Sequence, residues 1–170
     1  MTAEPAALST RLREAADAFL ILEPAVPAGA PWSPAVEFGH RPEAAWGPPE
    51  VLAHVTEMLP YWLGEVERIL AGSPAPVPFG RVATDEVRIA IIGRDRTVPP
   101  RELFDRVGAD VLRYAHRLEE LTAADLARQG LHPVRGVMSV EEILERFVVA
   151  HLAEHAAQLG ELLGSPSPAA

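Results

Sequence analysis

The stretch SVEEILERFVVAHLAEHAAQLGELL, residues 139–163, decides the fold class. Ser139 with Glu142 three residues later is typical of a capping box, which begins a helix. Apolar residues then recur three and four positions apart as far as Leu162, which is the pattern of a helix with one buried face. The stretch therefore predicts a long helix that ends near Gly164 and packs against other helices.

Three further segments have the same periodicity, at residues 4–23, 48–72 and 99–121. Pro60 lies inside the second segment and should kink that helix. Four amphipathic helices without a confident strand predict an all-α protein, a four-helix bundle with long Pro-rich connecting loops. Residues 84–93 fit a short helix or a strand equally well, because periodicity cannot decide so short an apolar run.

A chain of 170 residues has the length of one domain with a substantial core. We expect a single helical-bundle domain over residues 1–164 and a disordered tail over residues 165–170, SPSPAA being rich in Pro and Ser. The Pro-rich connection of residues 24–47 contains Trp and Phe and is too apolar for a solvated linker. We expect that connection to pack across the helices.

The composition excludes several classes of function. A net charge of -9 argues against a nucleic-acid partner, because phosphate binding requires a basic face. No apolar stretch approaches the length of a membrane span, and the first residues lack the apolar core of a signal peptide, so we expect a cytoplasmic protein. All 15 basic residues are Arg and Cys is absent, so a metal here would be held by nitrogen and oxygen.

Three histidines fall on apolar helix faces. At 100° per residue, His151 and His155 lie in the middle of the buried face of the last helix, and His54 lies on the apolar side of the second. His116 lies on the polar side of the third helix and should face water. Buried imidazoles need polar partners, and i, i+4 spacing lets two ring nitrogens reach one ion. A shared metal and three separately hydrogen-bonded core histidines are the two alternatives.

The same run also reads H-x-x-E-H, a pattern found in one class of zinc peptidases. Such a peptidase needs a third, acidic ligand well downstream of the second histidine. Fifteen residues follow His155 in the sequence given, and the only acid among them is Glu161. A peptidase site is therefore the least favoured interpretation of the pair.

With one His early in the second helix and H-x-x-x-H late in the fourth, the chain resembles the DinB/YfiT-like superfamily. The residues that carry the resemblance are WGPPEVLAH, residues 46–54, and LxxFVVAHLAEHAAQL, residues 144–159. The resemblance implies a four-helix bundle in which His54, His151 and His155 bind a divalent metal, zinc or nickel, with open positions for water. It also implies homodimers in many members.

Members with an assigned activity are similar to thiol-dependent transferases and isomerases that use bacillithiol, mycothiol or glutathione. Because this chain has no Cys, a thiolate would come from a low-molecular-weight thiol cosubstrate, and the resemblance implies a metal-dependent thiol S-transferase acting on small electrophiles. The alternative is a non-catalytic, metal-binding or stress-associated bundle. A solvent-reaching cavity at the imidazoles would favour catalysis, and a sealed one would favour a structural role.

For several other residues, a supporting role at the metal site is one alternative and an ordinary structural role is the other. Gln158 could hydrogen-bond a ligand of the metal or be an ordinary core amide, and Glu57 could orient an imidazole or be a surface carboxylate. His132 precedes a Pro and fits a surface turn better than a cavity mouth. Three loop arginines could bind the carboxylates of a thiol cosubstrate or be ordinary surface residues: Arg94, Arg96 and Arg135.

Overall fold

The structure is a computed structural model that describes residues 5–26, 38 and 42–164. Its helices are, in chain order, α1 (Pro5–Leu20), α2 (Pro48–Ala71), α3 (Glu86–Asp95), α4 (Pro100–Glu120), α5 (Ala123–Leu126), α6 (Val140–Leu144) and α7 (His151–Leu162). A π-helical segment, Glu145–Ala150, joins α6 to α7 without a break in the helical backbone. We call α6, this π segment and α7 together the last helix.

The long helices form the four-helix bundle that the periodicity predicts. α1 and α2 do not share a major contact; each packs against both α4 and α7, so the four helices form a ring around one core. The core side chains are fully buried leucines and aromatics, each of which stabilises the fold by about 1.5–3 kcal/mol. Pro60 lies inside α2, and beside it the Tyr114 hydroxyl of α4 donates to the Leu59 carbonyl at 2.7 Å.

The ends of the helices follow from local sequence. Pro48 and Pro49 begin α2, where a missing amide hydrogen leaves no bond unmade. The Ser139 hydroxyl accepts from the Glu142 amide while the Glu142 carboxylate accepts from the Ser139 amide, so the predicted capping box is present. Asp85 caps a helix that begins at Glu86, so residues 86–93 of the ambiguous segment 84–93 belong to α3.

A small three-stranded sheet was not predicted. Its strands are β1 (Val77–Pro78), β2 (Gln129–His132) and β3 (Gly136–Ser139), with β1 parallel to β2 and β2 antiparallel to β3. Gly130 pairs with Met138 in the hairpin, and a Cβ at Gly130 would lie 2.4 Å from the Phe79 ring. Strands of two to four residues are too short to establish a period of two, so alternation cannot reveal them.

The last helix differs from the expectation in two respects. The π segment adds one residue to a turn just before His151. A helical wheel at 100° per residue assumes a regular α-helix and does not include this extra residue. Leu162, expected on the buried face, is 45% exposed. The expected tail over residues 165–170 lies outside the described residues, and within the described residues no helix has the length and apolarity to cross a membrane.

Candidate metal centre

Three imidazoles from two helices meet at one point. His54 comes from the second turn of α2, and His151 and His155 come from successive turns of α7. The Nε2 atoms of His54 and His151 are 3.4 Å apart. The ring centroids of His54 and His155 are separated by 4.9 Å, and those of His151 and His155 by 4.6 Å. The structure therefore brings together the three residues that the sequence singles out.

A fourth group, the carboxylate of Glu43, completes the cluster. Glu43 lies in a 3₁₀ turn, Glu43–Ala45, that precedes α2. Its Oε2 atom is 3.2 Å from Nε2 of His151, 3.8 Å from Nε2 of His155 and 4.0 Å from Nε2 of His54. One donor atom from each of the four residues lies within 4.8 Å of the other three. The cluster thus offers three nitrogens and one oxygen.

Two side chains hold Glu43 over the imidazoles. Arg88, buried on α3, donates from Nη2 to Oε1 of Glu43 and so leaves Oε2 turned toward the histidines. The same guanidinium is fixed by the Ala83 carbonyl, which accepts from Nη1 at 2.8 Å. Gln158 donates to the Glu43 carbonyl at 2.8 Å, which ties the 3₁₀ turn to α7.

The electrostatics keep Glu43 ionised. Burial alone would raise its pKa, but a hydrogen bond with His151 and the charges of Arg88 and the histidines outweigh burial and lower the pKa of Glu43 to about 2. At neutral pH the group is therefore a carboxylate, which is the form that binds a cation. With so low a pKa it is a weak base, so its chemistry is that of a charge and a ligand.

Two of the imidazoles are neutral at pH 7. Burial, together with the neighbouring histidines and Arg88, holds the pKa of His54 well below its usual range. Burial and the charge of His151 lower the pKa of His155 to about 4, against the opposing effect of Gln158. Neutral imidazole is the form that ligates a metal, because protonation occupies the lone pair that the bond requires.

A metal ion fits the donor atoms of this cluster. Nε2 of His155 is buried and has no hydrogen-bond partner among the described residues. Nδ1 of the same ring lies 2.9 Å from Oε1 of Gln158, an oxygen that can only accept, so the ring proton is on Nδ1 and the Nε2 lone pair faces the cluster. A buried polar atom without a partner is unfavourable, and a cation at the cluster would satisfy this one. Three imidazoles and a carboxylate suit zinc, nickel and other divalent transition metals.

Gln158 and Glu57 both contact the ligand histidines that the sequence predicts. Glu57 is buried, so the surface-carboxylate alternative is wrong, and its Oε2 lies 3.8 Å from Nδ1 of His54. Its Oε1 accepts from Nη2 of Arg81 at 2.5 Å. Burial raises the pKa of Glu57 despite the opposing charge of Arg81. Whether these residues act on a bound metal stays a prediction.

A cavity of about 560 Å³ leads from the cluster to the surface. Its lining includes Glu43, His54 and His151 of the cluster, and it includes two exposed side chains, Arg135 and Arg146. The lining also includes aromatic side chains: Phe147, which stacks on Trp62 with centroids 4.3 Å apart, and His132, whose ring is tilted by 21° from that of Phe147. The imidazoles therefore face a space that solvent and a small molecule can enter.

The remaining predicted residues divide between cavity and surface. His116 is exposed, as expected, with 77% of its side chain accessible. His132 is buried and lines the cavity, so its assignment to a surface turn was wrong. The described lining includes Arg135 but not Arg94 or Arg96. Arg94 instead contacts Asp95, and Arg96 contacts Glu50.

Sequence reasoning missed Glu43 because nothing in its local pattern marks it. Metal-ligand spacing on one helix is readable, whereas a ligand in an irregular connection has no period. The available signal was indirect: the connection of residues 24–47 is apolar enough to pack over the helices, and Glu43 is one of its few acids. An acid in a connection that is expected to pack across three core-facing imidazoles is a candidate for their fourth partner.

The chain is thus a four-helix bundle with a candidate metal centre. The centre is a cluster of histidines and a carboxylate that an open cavity reaches. The chain belongs to the DinB superfamily, which matches residues 1–159. Among curated proteins, none matches this chain significantly.

Among solved structures, the fold is similar to that of YfiT from Bacillus subtilis, with a TM-score of 0.70 and 16% sequence identity. The alignment covers 95% of this chain and 89% of that one. YfiT is described as "a probable metal-dependent hydrolase with an unusual four-helix bundle topology". At this identity the similarity shows the shared fold.

Proposed function

We propose that the chain binds one divalent cation, zinc or nickel, through Nε2 of His54, His151 and His155, with Oε2 of Glu43 as a fourth donor. The observation that carries this proposal is the unpartnered, buried Nε2 of His155, which faces two other ring nitrogens and a carboxylate. Membership of the DinB superfamily supports it, because the resemblance to that family implies a divalent metal bound by these three histidines.

We further propose that this centre serves a thiol S-transferase acting on small electrophiles. A bound divalent cation lowers the pKa of a thiol or a water and so makes a nucleophile available at neutral pH. The chain has no Cys, so the thiol is a separate small molecule of the bacillithiol, mycothiol or glutathione kind. A bond forms between the thiol sulfur and the electrophilic carbon, the bond to the leaving group breaks with its electron pair, and the thiol proton is released.

The chain's own residues orient and shield the reactants. Gln158 fixes the tautomer of His155, and the Glu57 carboxylate lies 3.8 Å from Nδ1 of His54. Trp62 and Phe147 form an apolar wall on which an electrophile can pack. The cavity of about 560 Å³ lies within the usual range for a site that encloses a small ligand.

Metal analysis tests the ligand set. Protein purified without chelators should contain one equivalent of zinc or nickel, and His151→Ala should contain little, because loss of one of three imidazole ligands weakens binding severely. His116→Ala is the matched control, since that histidine is exposed and lies on another helix. Stoichiometric metal in His151→Ala would show that the ligand set is wrong.

An activity assay tests the reaction. Conjugation of glutathione, bacillithiol or mycothiol to 1-chloro-2,4-dinitrobenzene should be catalysed by the metal-loaded protein, disappear with a chelator and return with added metal. Catalysis that persists after complete metal removal would contradict the proposal. Absence of turnover with all three thiols, in protein that retains its metal, would favour the non-catalytic metal-binding alternative.

Metal-dependent hydrolysis is a second candidate, favoured by the structural similarity to YfiT. The same cavity and cluster would then act on water in place of a thiol. Release of 4-nitrophenol from a 4-nitrophenyl ester, measured with and without added thiol, distinguishes the two. Metal-dependent release that does not respond to thiol indicates a hydrolase.

A further inference from the structure

The cavity above the histidine cluster has more positive than negative side chains in its wall. Its lining contains four arginines, Arg81, Arg88, Arg135 and Arg146, and two acids, Glu43 and Glu154. The whole chain, by contrast, has a net charge of -9. The excess of arginines in the cavity therefore does not follow from the overall composition of the chain.

Two of the four arginines are neutralised by carboxylates of the protein and are part of the scaffold. Arg88 pairs with Glu43 at the histidine cluster. Arg81 donates to Glu57 at 2.5 Å, and its guanidinium lies 3.6 Å from the centroid of the Tyr61 ring. Both guanidinium groups are therefore committed to protein partners.

The other two arginines have no carboxylate partner among the described residues. Arg135 lies in the turn between β2 and β3, and Arg146 lies in the π segment of the last helix. Both side chains are exposed, and neither forms an ion pair with any residue that the structure describes. Arg135 instead lies over the face of Phe147, 5.7 Å from the ring centroid. The sheet hairpin and the last helix thus place two unneutralised guanidinium groups at the open end of the cavity.

His132 adds a neutral donor to the same wall. Its Nδ1 accepts from the backbone amides of Val134 and Arg135, at 3.2 and 3.3 Å. The ring proton is therefore on Nε2, and the ring can donate from that atom. Burial and the charge of Arg135 lower the pKa of His132, which keeps the ring neutral.

We propose that this cavity selects a small molecule that carries a carboxylate or another anionic group, which Arg135 and Arg146 bind at the cavity mouth. The inference rests on the proposed function, for which it names the substrate class: a thiol whose far end is anionic. Guanidinium groups bind carboxylates through paired, charge-assisted hydrogen bonds. Glu154 is the exposed acid in the same lining, and it opposes this attraction.

Two thiols with the same carbon skeleton test the preference. 3-Mercaptopropionate and 3-mercapto-1-propanol differ in a carboxylate against a hydroxyl, and binding to the metal-loaded protein is followed by tryptophan fluorescence, to which Trp62 in the cavity wall contributes. The anionic thiol should bind about tenfold more tightly or better, a difference typical of a charge-assisted contact. Added salt should weaken only the anionic thiol.

Variants assign that preference to the two arginines. Arg135→Gln with Arg146→Gln should abolish it, so that the two thiols bind with similar affinity. Arg101→Gln, which removes an exposed arginine of α4 outside the described cavity lining, should keep the preference. Glu154→Gln should strengthen binding of the anionic thiol alone. This single variant removes a negative charge, so its expected effect on affinity is opposite to that of removing the arginines.

The outcomes separate this inference from the proposed function. An equal affinity for the two thiols, a preference that survives in the double variant, or no fluorescence change with millimolar 3-mercaptopropionate overturns the inference. Cobalt-substituted protein provides the other measurement, because a thiol sulfur that reaches the metal produces a characteristic absorption band. Absence of that band with both thiols overturns the thiol-transferase proposal, while the fluorescence still reports whether the cavity prefers an anion.

Discussion

At the scale of single residues, the side chain of His155 shows how the candidate centre is prepared. Its Nδ1 is held by Gln158, and its Nε2 is buried without a partner among the described residues. An imidazole fixed at one nitrogen and unsatisfied at the other is oriented before any ligand arrives. The residue that fixes the ring should therefore contribute to metal affinity without touching the metal.

Replacing Gln158 by Leu should weaken metal binding by roughly 10-fold, the lower end of the range for partners of ligand histidines. Leucine keeps most of the volume, so the loss reflects the hydrogen bonds to His155 and to the Glu43 carbonyl. Competition with a chromogenic chelator measures the affinity. An unchanged affinity would show that packing alone orients the ring.

The depressed pKa of His155 predicts how the metal-free protein responds to acid. An unfolded chain takes up this proton near pH 6.5, whereas the folded chain takes it up at about 4. Because the unfolded state binds more protons between these values, the free energy of unfolding falls as pH falls. The loss from pH 7 to pH 5 should be about 2 kcal/mol from this residue.

Urea unfolding of metal-free protein at pH 7 and pH 5 checks this value. His155→Gln should show a smaller loss between the two pH values, because the variant has no buried imidazole to protonate at that position. His116→Gln should behave as the unchanged protein does, because it replaces an exposed ring and leaves the buried ring of His155 in place. An equal loss in His155→Gln and in the unchanged protein would contradict the assignment.

At the scale of structural elements, the small sheet shapes the cavity through one glycine. Gly80 has φ +80, and a Cβ there would lie 2.5 Å from Cδ2 of His132. The chain after β1 can therefore lie against the His132 ring only if residue 80 has no side chain. Its amide also donates to Glu65 at 2.5 Å, which fixes the segment to α2.

Gly80→Ala should lower the free energy of unfolding by more than about 1–2 kcal/mol, the usual cost of the left-handed conformation for alanine, because the contact with His132 adds to it. Gly64→Ala is the matched control: Gly64 is exposed inside α2 with no atom within 4 Å of the added Cβ. It should stabilise the protein by up to about 1 kcal/mol. Denaturant unfolding of both variants measures the difference, and equal effects would refute the argument.

The elements that the sequence predicts are those with enough length to show a period. α1, α2, α4 and the last helix each run for several turns, and their buried faces, including the positions of His54, His151 and His155, follow from spacing. The β2–β3 hairpin and the 3₁₀ turn of Glu43 are set by tertiary contacts. Glu43 is placed by Arg88 and Gln158, both remote in sequence, so no local pattern could reveal it.

At the scale of the whole molecule, the candidate centre brings together donor residues from three separate elements of the chain. The four donor residues come from the 3₁₀ turn, α2 and α7. An ion bound by all of them would stabilise the folded state by the free energy of binding. The cytoplasmic location and the homodimer that we expect from sequence stay predictions, and sedimentation velocity tests the dimer.

Saturating metal should raise the thermal midpoint of the metal-free protein by on the order of 10 °C. A ligand at 1,000 times its Kd adds about 4 kcal/mol, and each kcal/mol is worth about 2–4 °C at this size. Scanning calorimetry with and without zinc measures the shift. The double variant His151→Ala with His155→Ala should show none, and a similar shift in that variant would indicate a different site.

The donor residues are far apart in sequence, so the ribosome synthesises them at different times. His54 precedes His151 by 97 residues, and Glu43 precedes it by 108. A nascent chain whose last helix is still inside the exit tunnel has His54 and Glu43 but lacks both α7 imidazoles. An ion that needs all four donors would therefore bind late in biosynthesis, after α7 has emerged, and could not guide the folding of the segments made first.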